Sequence, residues 1–331
     1  MSRPAPGRTP AIVAVGAGRM GRGMALAFAY AGHDVVVLDL KPRTPEAFQR
    51  LAEDARAELA RVLASLEVLG AVAPGDADRI LPRVSFLPAE DAALALSGAS
   101  IVLEGVTETL AAKRDAFERI CLHAPDDAVI ASTTSTILVT DLVPMVTRPE
   151  RLLNAHWLNP AYLVPLVELS VHPGTAPWAT DRLRALLEDI GKVPVVCGAV
   201  PGYIVPRLQA LLMNEAARMV EEGAASAEDI DRATRYGLGF RFAAIGVVEF
   251  IDYGGADILW HASRHLSGTV SAERYAAPRI LADMMEKGRT GLREGLGFHD
   301  YRGIDVDAYR TDVLARTLAM LRHSGLYRPP R

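Results

Sequence analysis

The segment 11–21 constrains the fold most, because a short apolar run there leads directly into a glycine-rich turn and a helical pattern. In a G-x-G-x-x-G turn between strand and helix, the first glycine permits the tight turn and the second lets backbone approach a pyrophosphate. The third lets the helix pack closely on the strand, and the helix N-terminus favours a phosphate. The segment therefore predicts dinucleotide binding rather than a chance glycine-rich loop, and its residues are Gly16, Ala17, Gly18, Arg19, Met20 and Gly21.

An acidic residue ends the second predicted strand. Residues 34–38 are mostly valine, and Asp39 follows them. An acid about 20 residues after the glycines hydrogen-bonds the ribose hydroxyls of NAD and would repel the 2′-phosphate of NADP. We therefore expect NAD as the cofactor, with Lys41 and Arg43 weakening that preference through their positive charge.

Strand and helix patterns alternate as far as about residue 198. Apolar runs of strand length recur, and residues 48–66 carry an apolar helical face that ends at the turn 73–76. This alternation predicts an α/β fold, with a Rossmann-type, doubly wound parallel sheet and an inserted helical hairpin in residues 1–198. Pro201-Gly202 marks a break, and little strand pattern follows it. We expect residues 199–331 to form an all-α C-terminal domain.

Charge and composition exclude several classes of protein. The formal net charge of −4 over 331 residues leaves no basic surface for nucleic acid. The polar tail 1–10 lacks the apolar core of a signal peptide, and glycines and arginines interrupt the longest apolar stretch. The two cysteines, Cys121 and Cys197, are isolated and lack metal-ligand spacing. We expect a cytoplasmic protein without a metal site, a membrane span or a nucleic-acid partner.

A histidine and a glutamate lie in apolar strands that follow one another in the chain. His156 ends one predicted strand, and Glu168 lies inside the next, Leu166-Val167-Glu168-Leu169. A carboxylate in an apolar strand is costly unless it is paired, and a histidine on the neighbouring strand is a suitable partner. Such a pair leaves one imidazole nitrogen free to accept a proton. The alternative is a structural core histidine beside a strand-end glutamate at the surface.

A cluster of hydroxyl side chains, residues 132–136, follows another predicted strand. Open α/β sheets bind ligands at the carboxyl ends of their strands. The cluster is therefore a candidate binding element, although its position equally suits a helix cap.

Together, several motifs resemble the L-3-hydroxyacyl-CoA dehydrogenase superfamily, which includes L-gulonate dehydrogenase with the lambda-crystallins, and carnitine dehydrogenase. The resemblance covers nearly the whole chain. Besides the glycine-rich turn, the matching segments are 106–110 with Lys113, 134–136, 156–160, 166–168, 201–205 and 295–298.

The resemblance implies a role for each matching residue. His156 is the general base that takes the 3-hydroxyl proton while hydride passes to NAD, and Glu168 orients and supports it. Ser135 hydrogen-bonds the reacting oxygen, and Asn159 lies beside the nicotinamide and the substrate. The resemblance also implies that Glu108 and Lys113 contact the ribose region of the cofactor, and that the protein is a homodimer through its helical domain.

One position departs from the family pattern. The acyl-CoA enzymes normally carry Asn-Arg after the aromatic and aliphatic residues that follow Pro-Gly, whereas this chain has Pro206-Arg207. A proline ring cannot supply the amide donor of asparagine. In the first turn of a helix proline is tolerated, so the fold is expected to survive while the substrate site lacks one donor.

The substrate remains open between a CoA ester and a free acid. The hairpin helix is rich in acids where the acyl-CoA enzymes are rich in lysine, and Arg241 resembles an arginine of the gulonate and carnitine enzymes, which suits a free carboxylate. Segments 250–257 and 295–301 resemble the acyl-CoA branch instead, and Arg241 is equally well a surface or interface residue. We expect a 3-hydroxyacyl-CoA such as 3-hydroxybutyryl-CoA, as in fatty acid metabolism, with a free 3-hydroxy acid or a non-catalytic, crystallin-like role as alternatives.

Overall fold

Short runs of Val, Ile, Leu and Ala form the strands, because branched aliphatic side chains suit a sheet that is covered on both faces. The structure is a computed structural model that describes residues 11–329. The strands of these residues form one eight-stranded sheet. The order β3-β2-β1-β4-β5-β6-β7-β8 confirms the Rossmann-type, doubly wound arrangement. The strands are β1 (Ala11–Val15), β2 (Val35–Asp39), β3 (Val84–Pro88), β4 (Ala99–Glu104), β5 (Val129–Ser132), β6 (Leu152–Trp157), β7 (Leu166–Val171) and β8 (Val193–Gly198).

The expected all-parallel sheet is wrong at one junction. Strand β7 runs antiparallel to β6, whereas the other neighbouring strands pair in parallel. A parallel connection needs a crossover of a dozen or more residues, and only residues 158–165 join β6 to β7. The direct turn places His156 opposite Glu168 in the antiparallel register.

Helices cover both faces of this sheet in the first part of the chain. Two separate groups of buried aliphatic side chains fill the space between the sheet and its helices, one on each face. This two-sided burial explains why the strands are continuously apolar rather than alternating. The helices are α1 (Arg19–Tyr30), α2 (Pro45–Val68), α3 (Ala77–Ile80), α4 (Ala92–Leu96), α5 (Leu110–His123), α6 (Val139–Leu142) and α7 (Pro177–Asp189).

The predicted helical hairpin corresponds to α2 and α3, which lie between β2 and β3. Helix α2 begins after Thr44, whose hydroxyl accepts a hydrogen bond from the backbone N–H of Ala47 at 3.3 Å. Pro45 occupies the first helical position, where no intrahelical N–H partner is needed. These local signals fix the start of the longest helix in the described residues.

The chain divides into two compact units, the first ending at Leu212 and the second beginning at Met213. The expected domain boundary, between residues 198 and 199, stays a prediction. The polar tail 1–10 lies outside the described residues.

The C-terminal part of the chain is helical, as expected. Ser226 caps one of its helices by accepting a hydrogen bond from the N–H of Asp229 at 3.1 Å. In the described residues, no helix is long and apolar enough to span a membrane. The helices are α8 (Val205–Glu221), α9 (Ala227–Ala233), α10 (Phe240–Ala244), α11 (Val247–Gly254), α12 (Ala256–Thr269), α13 (Ala272–Tyr275), α14 (Arg279–Glu286) and α15 (Val306–His323), with a π-helical segment at Thr234–Gly239.

A buried carboxylate organises the loop before α15. The side chain of Asp252 accepts hydrogen bonds from the backbone N–H groups of Phe298 at 2.9 Å and His299 at 2.8 Å. A Cβ on Gly297 would lie 2.1 Å from the Asp252 carboxylate, so only glycine fits there. The motif at residues 295–298 therefore has a structural role within the second unit.

Candidate active site

The glycine-rich turn joins β1 to α1 and has the shape that a pyrophosphate requires. Gly16 has φ 108°, and a Cβ there would lie 2.7 Å from the carbonyl oxygen of Gly105. A Cβ on Gly21 would lie 1.9 Å from the carbonyl oxygen of Gly16. A Cβ on Gly18 would instead meet none of the described atoms within 4 Å. Open space at Gly18, beside two positions that exclude any side chain, fits a bound phosphate group.

A cavity of about 360 Å³ extends from this turn toward the end of β2. Asp39 lines it, is almost completely buried, and forms an ion pair with the guanidinium of Arg43. Lys41 also lines the cavity. The acid expected to bind ribose therefore lies in this cavity, where a neighbouring cation neutralises part of its charge. Its contact with ribose stays a prediction.

Arg19 and Met20 begin helix α1 and face different surroundings. Met20 is half-buried and packs against the core, whereas Arg19 is exposed. Arg19 borders a second, smaller cavity of about 200 Å³ that Asn159 also lines.

The structure brings His156 and Glu168 together on adjacent strands. Nδ1 of His156 lies 2.9 Å from Oε2 of Glu168. Both side chains are buried, and Glu168 is fully so. A carboxylate can only accept, so in the neutral imidazole Nδ1 carries the hydrogen and Nε2 carries the lone pair. This arrangement holds one tautomer of the imidazole.

The second oxygen of Glu168 has its own partners. Oε1 accepts hydrogen bonds from the backbone N–H groups of Ile204 and Val205, both at 2.8 Å. Val205 is the first residue of α8, where N–H groups lack intrahelical partners and the helix dipole favours a negative charge. These bonds offset the cost of burying the carboxylate. Sequence reasoning missed them, although an acid inside an apolar strand was a sign that partners beyond His156 must exist.

Tyr203 is a further residue that sequence reasoning did not single out. Its ring stacks on the imidazole of His156, with centroids 4.8 Å apart and planes inclined by 14°. Its hydroxyl donates to the carbonyl oxygen of Thr134 at 2.7 Å and accepts from Nδ2 of Asn154 at 3.0 Å. Burial raises the pKa of the Tyr203 phenol well above its usual value. Tyr203 thus connects the histidine to the hydroxyl cluster.

The carboxylate of Glu108 also binds the hydroxyl cluster. Its Oε1 accepts hydrogen bonds from the N–H groups of Ser135 at 2.9 Å and Thr136 at 3.2 Å, and from the hydroxyl of Thr134. Burial raises the pKa of Glu108, but the Thr134 hydrogen bond and the Lys113 charge outweigh it, so the pKa lies below its usual value. Ser135 itself is exposed.

The alternative role of the hydroxyl cluster, as a helix cap, is not observed. Helix α6 follows the cluster and begins at Val139, but no side chain among the described residues caps it. Two groups hold the turn instead. Oγ1 of Thr134 accepts hydrogen bonds from the N–H groups of Thr136 at 3.3 Å and Ile137 at 2.9 Å, and Glu108 accepts from Ser135 and Thr136.

Lys113 lies behind this turn and is fully buried. Its ammonium lies 3.0 Å from Oε2 of Glu104, 3.3 Å from Oε2 of Glu108 and 3.4 Å from the hydroxyl of Ser132. Sequence reasoning did not single out Glu104, although a carboxylate ending an apolar strand is the same signal as Glu168. The contacts give Lys113 a structural task, and its expected contact with the cofactor stays a prediction.

Asn159 is exposed and lies in the turn that follows β6. Lys192 stabilises this turn, because its Nζ donates to the carbonyl oxygens of Ala161 at 2.7 Å and Val164 at 2.8 Å. Burial lowers the pKa of Lys192. The position of Asn159 therefore depends on a buried lysine that no sequence motif indicated.

The two residues that the sequence linked to the substrate, Pro206 and Arg241, lie in different units. Pro206 follows Val205 in the first turn of α8, where the loss of an N–H is tolerated, as expected. Arg241 lies in the second unit and is exposed. Its Nε donates to the carbonyl oxygen of Gly237 at 3.0 Å, and its guanidinium carbon lies 5.3 Å from the ring centroid of Phe250.

Comparison with known proteins now identifies the family. Residues 11–200 match the family model for the 3-hydroxyacyl-CoA dehydrogenase NAD-binding domain, and residues 202–301 match that for the C-terminal domain. The chain belongs to the 3-hydroxyacyl-CoA dehydrogenase family. Its first domain is accordingly an NAD-binding domain, which agrees with the shape of the glycine-rich turn.

The names of relatives in the 3-hydroxyacyl-CoA dehydrogenase family do not agree on one substrate. A 5-formyl-3-hydroxy-2-methylpyridine 4-carboxylate 5-dehydrogenase from Mesorhizobium japonicum is 31% identical over 94% of this chain and 97% of its own. A lambda-crystallin homolog from Bos taurus is 34% identical over 81% of each chain. A crystal structure of a 3-hydroxyacyl-CoA dehydrogenase from Archaeoglobus fulgidus is 29% identical, covers 96% of this chain and 100% of its own, and has a TM-score of 0.73.

Proposed function

We propose that this protein oxidises an L-3-hydroxyacyl substrate to the 3-oxo product with NAD as the hydride acceptor. The observation that carries the proposal is the buried pair of His156 and Glu168, separated by 2.9 Å. Bound NAD supplies an electrophilic nicotinamide ring for the hydride from C3. Nε2 of His156 takes the proton of the C3 hydroxyl, and Glu168 stabilises the imidazolium that forms.

Two further side chains complete the proposed site. The Ser135 hydroxyl hydrogen-bonds the reacting oxygen, and the bonds from Ser135 and Thr136 to Glu108 fix the turn that carries it. Asn159 orients the substrate beside the nicotinamide. Tyr203 is a positioning residue, since it stacks on His156 and donates a hydrogen bond to the Ser135 turn through Thr134.

We favour a 3-hydroxyacyl-CoA, such as 3-hydroxybutyryl-CoA, as the substrate. The match to both domains of the 3-hydroxyacyl-CoA dehydrogenase family supports this choice. A free carboxylic acid is the second candidate, supported by the pyridine carboxylate in the name of the Mesorhizobium relative. The acid-rich sequence of α2 supports it too, because acids beside a CoA would repel its phosphates.

The test is the formation of NADH, followed at 340 nm with a panel of substrates. The panel contains L-3-hydroxybutyryl-CoA, L-3-hydroxybutyrate, L-gulonate and L-carnitine. We expect turnover of the CoA ester with the highest kcat/KM. Turnover of none of these compounds by a protein that still binds NADH would favour the third candidate, a non-catalytic role like that of a lambda-crystallin.

We also propose a cytoplasmic homodimer with a domain boundary after residue 198. Leu208, Leu211 and Leu212 on α8 have exposed fractions of 49%, 66% and 47%, which suits an interface with a second copy. The isolated cysteines suit a reducing compartment. Light scattering coupled to size-exclusion chromatography measures the oligomeric state directly, and a monomeric mass would contradict the dimer.

A further inference from the structure

A small cavity beside the proposed site carries an unusual set of charges. The cavity has a volume of about 200 Å³ and lies between the first turns of α1, the middle of α2 and the turn after β6. Arg19 and Arg22 line it, and Glu58 is the one acidic residue among the side chains that line it in the described part of the chain. Its lining therefore has a net charge of plus one.

Arg22 is held in place by an ion pair that leaves part of its guanidinium without a partner. Nη2 of Arg22 lies 3.0 Å from Oε2 of Glu58. Nε of Arg22 is buried and has no hydrogen-bond partner among residues 11–329. A buried donor of a charged group is costly to leave unsatisfied, so the described protein groups do not fully satisfy this guanidinium.

The cavity is connected to the proposed chemistry through Asn159 and Pro160. Both residues line the cavity, and both directly follow β6, the strand that carries His156. Ligand sites for whole drug-sized molecules usually measure about 300–1,000 Å³. A volume of about 200 Å³ suits one end of a substrate rather than a complete nucleotide-bearing ester.

We propose that Arg22 binds a free carboxylate of the substrate in this cavity and thereby determines specificity. The proposal rests on the dehydrogenase function proposed above and adds that a substrate with a free carboxylate binds more tightly than its neutral analogue. That group belongs either to a free hydroxy acid or to the far end of a dicarboxylic acyl-CoA. Arginine suits it, because a guanidinium retains several donors for a carboxylate while one nitrogen remains paired with Glu58.

Two matched substrate pairs test the proposal and distinguish the two sources. The first pair is L-3-hydroxyadipyl-CoA and L-3-hydroxyhexanoyl-CoA, which differ by a terminal carboxylate. The second pair is L-3-hydroxybutyrate and its methyl ester. If the carboxylate is that of a dicarboxylic acyl-CoA, the first pair shows the effect, and if it is that of a free hydroxy acid, the second pair does. In that pair, Arg22→Met should raise KM for the carboxylated member by roughly 10- to 100-fold, the usual worth of a charge-assisted hydrogen bond. The KM of its neutral partner should change by less than about twofold, because a removed charge matters little to a neutral group.

Two control variants separate substrate binding from other effects. Arg61→Met removes an exposed arginine on α2 that does not line the cavity, and it reports general loss of positive charge. Glu58→Gln breaks the same ion pair but retains the guanidinium. We expect the selective rise in KM for Arg22→Met and not for Arg61→Met. An equal rise for both members of each pair, or an equal selective rise for Arg61→Met, would overturn the proposal.

Binding of adipate to the protein with NADH gives a second readout that does not depend on turnover. Isothermal titration calorimetry should detect adipate binding to the wild type, and Arg22→Met should weaken it at least about 10-fold. Equal binding by both proteins, or no binding by the wild type, would contradict the carboxylate subsite. If adipate binds through Arg22 but no member of either pair is oxidised, the proposed dehydrogenase function fails while the subsite stands.

Discussion

The phenol ring of Tyr203 stacks on the imidazole of His156, with centroids 4.8 Å apart, while its hydroxyl donates to the carbonyl oxygen of Thr134. One side chain therefore contacts both the proposed base and the turn that carries Ser135. This connection explains how the segments at the ends of the neighbouring strands β5 and β6 keep a fixed geometry.

Removal of the Tyr203 hydroxyl should loosen this geometry without removing the ring. Tyr203→Phe leaves the buried Thr134 carbonyl without its donor, which should lower the free energy of unfolding by about 1–3 kcal/mol. Tyr203→Leu also removes the stacking and should cost about 0.5–1.5 kcal/mol more. Urea denaturation measures both changes, and kcat should fall in the same order.

Tyr30→Phe provides the matched control for this experiment. The Tyr30 hydroxyl also donates to a carbonyl oxygen, that of Ala71 at 2.8 Å, but at an exposed position. We expect a smaller loss of stability and no loss of kcat. Equal effects of Tyr30→Phe and Tyr203→Phe would argue against a positioning role for Tyr203.

Cofactor preference should depend on the ion pair between Asp39 and Arg43. Arg43→Ala should raise the ratio of kcat/KM for NAD to that for NADP, because it unmasks the acid and removes a cation that would attract a 2′-phosphate. Asp39→Ala should lower the ratio. Arg50→Ala, which changes an exposed arginine outside the cavity, is the control. A wild-type preference for NADP would contradict the assignment.

Sequence reasoning succeeded where a local pattern determines the structure. The glycine-rich turn, the apolar strands and the α2–α3 hairpin follow from neighbouring residues, so they were predictable. The direction of β7 was predicted wrongly because strand alternation was taken to imply crossover connections, although the short segment 158–165 excludes one.

The partners of the buried charges were harder to predict. Glu168 binds the N–H groups of Ile204 and Val205, which lie 36 and 37 residues away in the chain. Lys113 binds Glu104 at the end of the preceding strand. A sequence shows that a buried acid needs partners, but backbone N–H groups carry no residue signature. The positions of Glu168 and Glu104 in apolar strands therefore indicated that each needs a partner. The sequence did not indicate which groups those partners are.

The turn around Ser135 should weaken at low pH. The pKa of Glu108 lies below its usual 4.5, so its hydrogen bonds stabilise the fold above that value and are lost as the pH falls through the lowered pKa. Glu108→Gln should lower Tm at pH 7, and the difference from wild type should shrink below about pH 4. Glu118→Gln, at an exposed position on α5, is the control. A difference in Tm that is constant from pH 7 to pH 3 would contradict the role of the ionised Glu108.

Arg241 should contribute little to substrate binding. Its side chain is exposed and already contacts Gly237 and Phe250 within its own unit. Arg241→Met should change KM by less than about fivefold for both free acids and CoA esters, because an exposed cation–π contact is worth only about 0.5–1 kcal/mol. Steady-state kinetics of Arg241→Met and Arg22→Met with the same substrates measures these KM values. A selective, larger rise for free acids would assign the carboxylate to Arg241 instead of Arg22.

The turnover number of His156→Ala tests the central claim most directly. The account predicts that kcat for the best substrate falls by about 10²–10⁴-fold, the usual worth of a positioned general base, while NADH affinity stays within about twofold of wild type. Glu168→Gln should cost less, because an amide oxygen still accepts from Ile204 and Val205. Near-normal turnover by His156→Ala would contradict the assignment of the base.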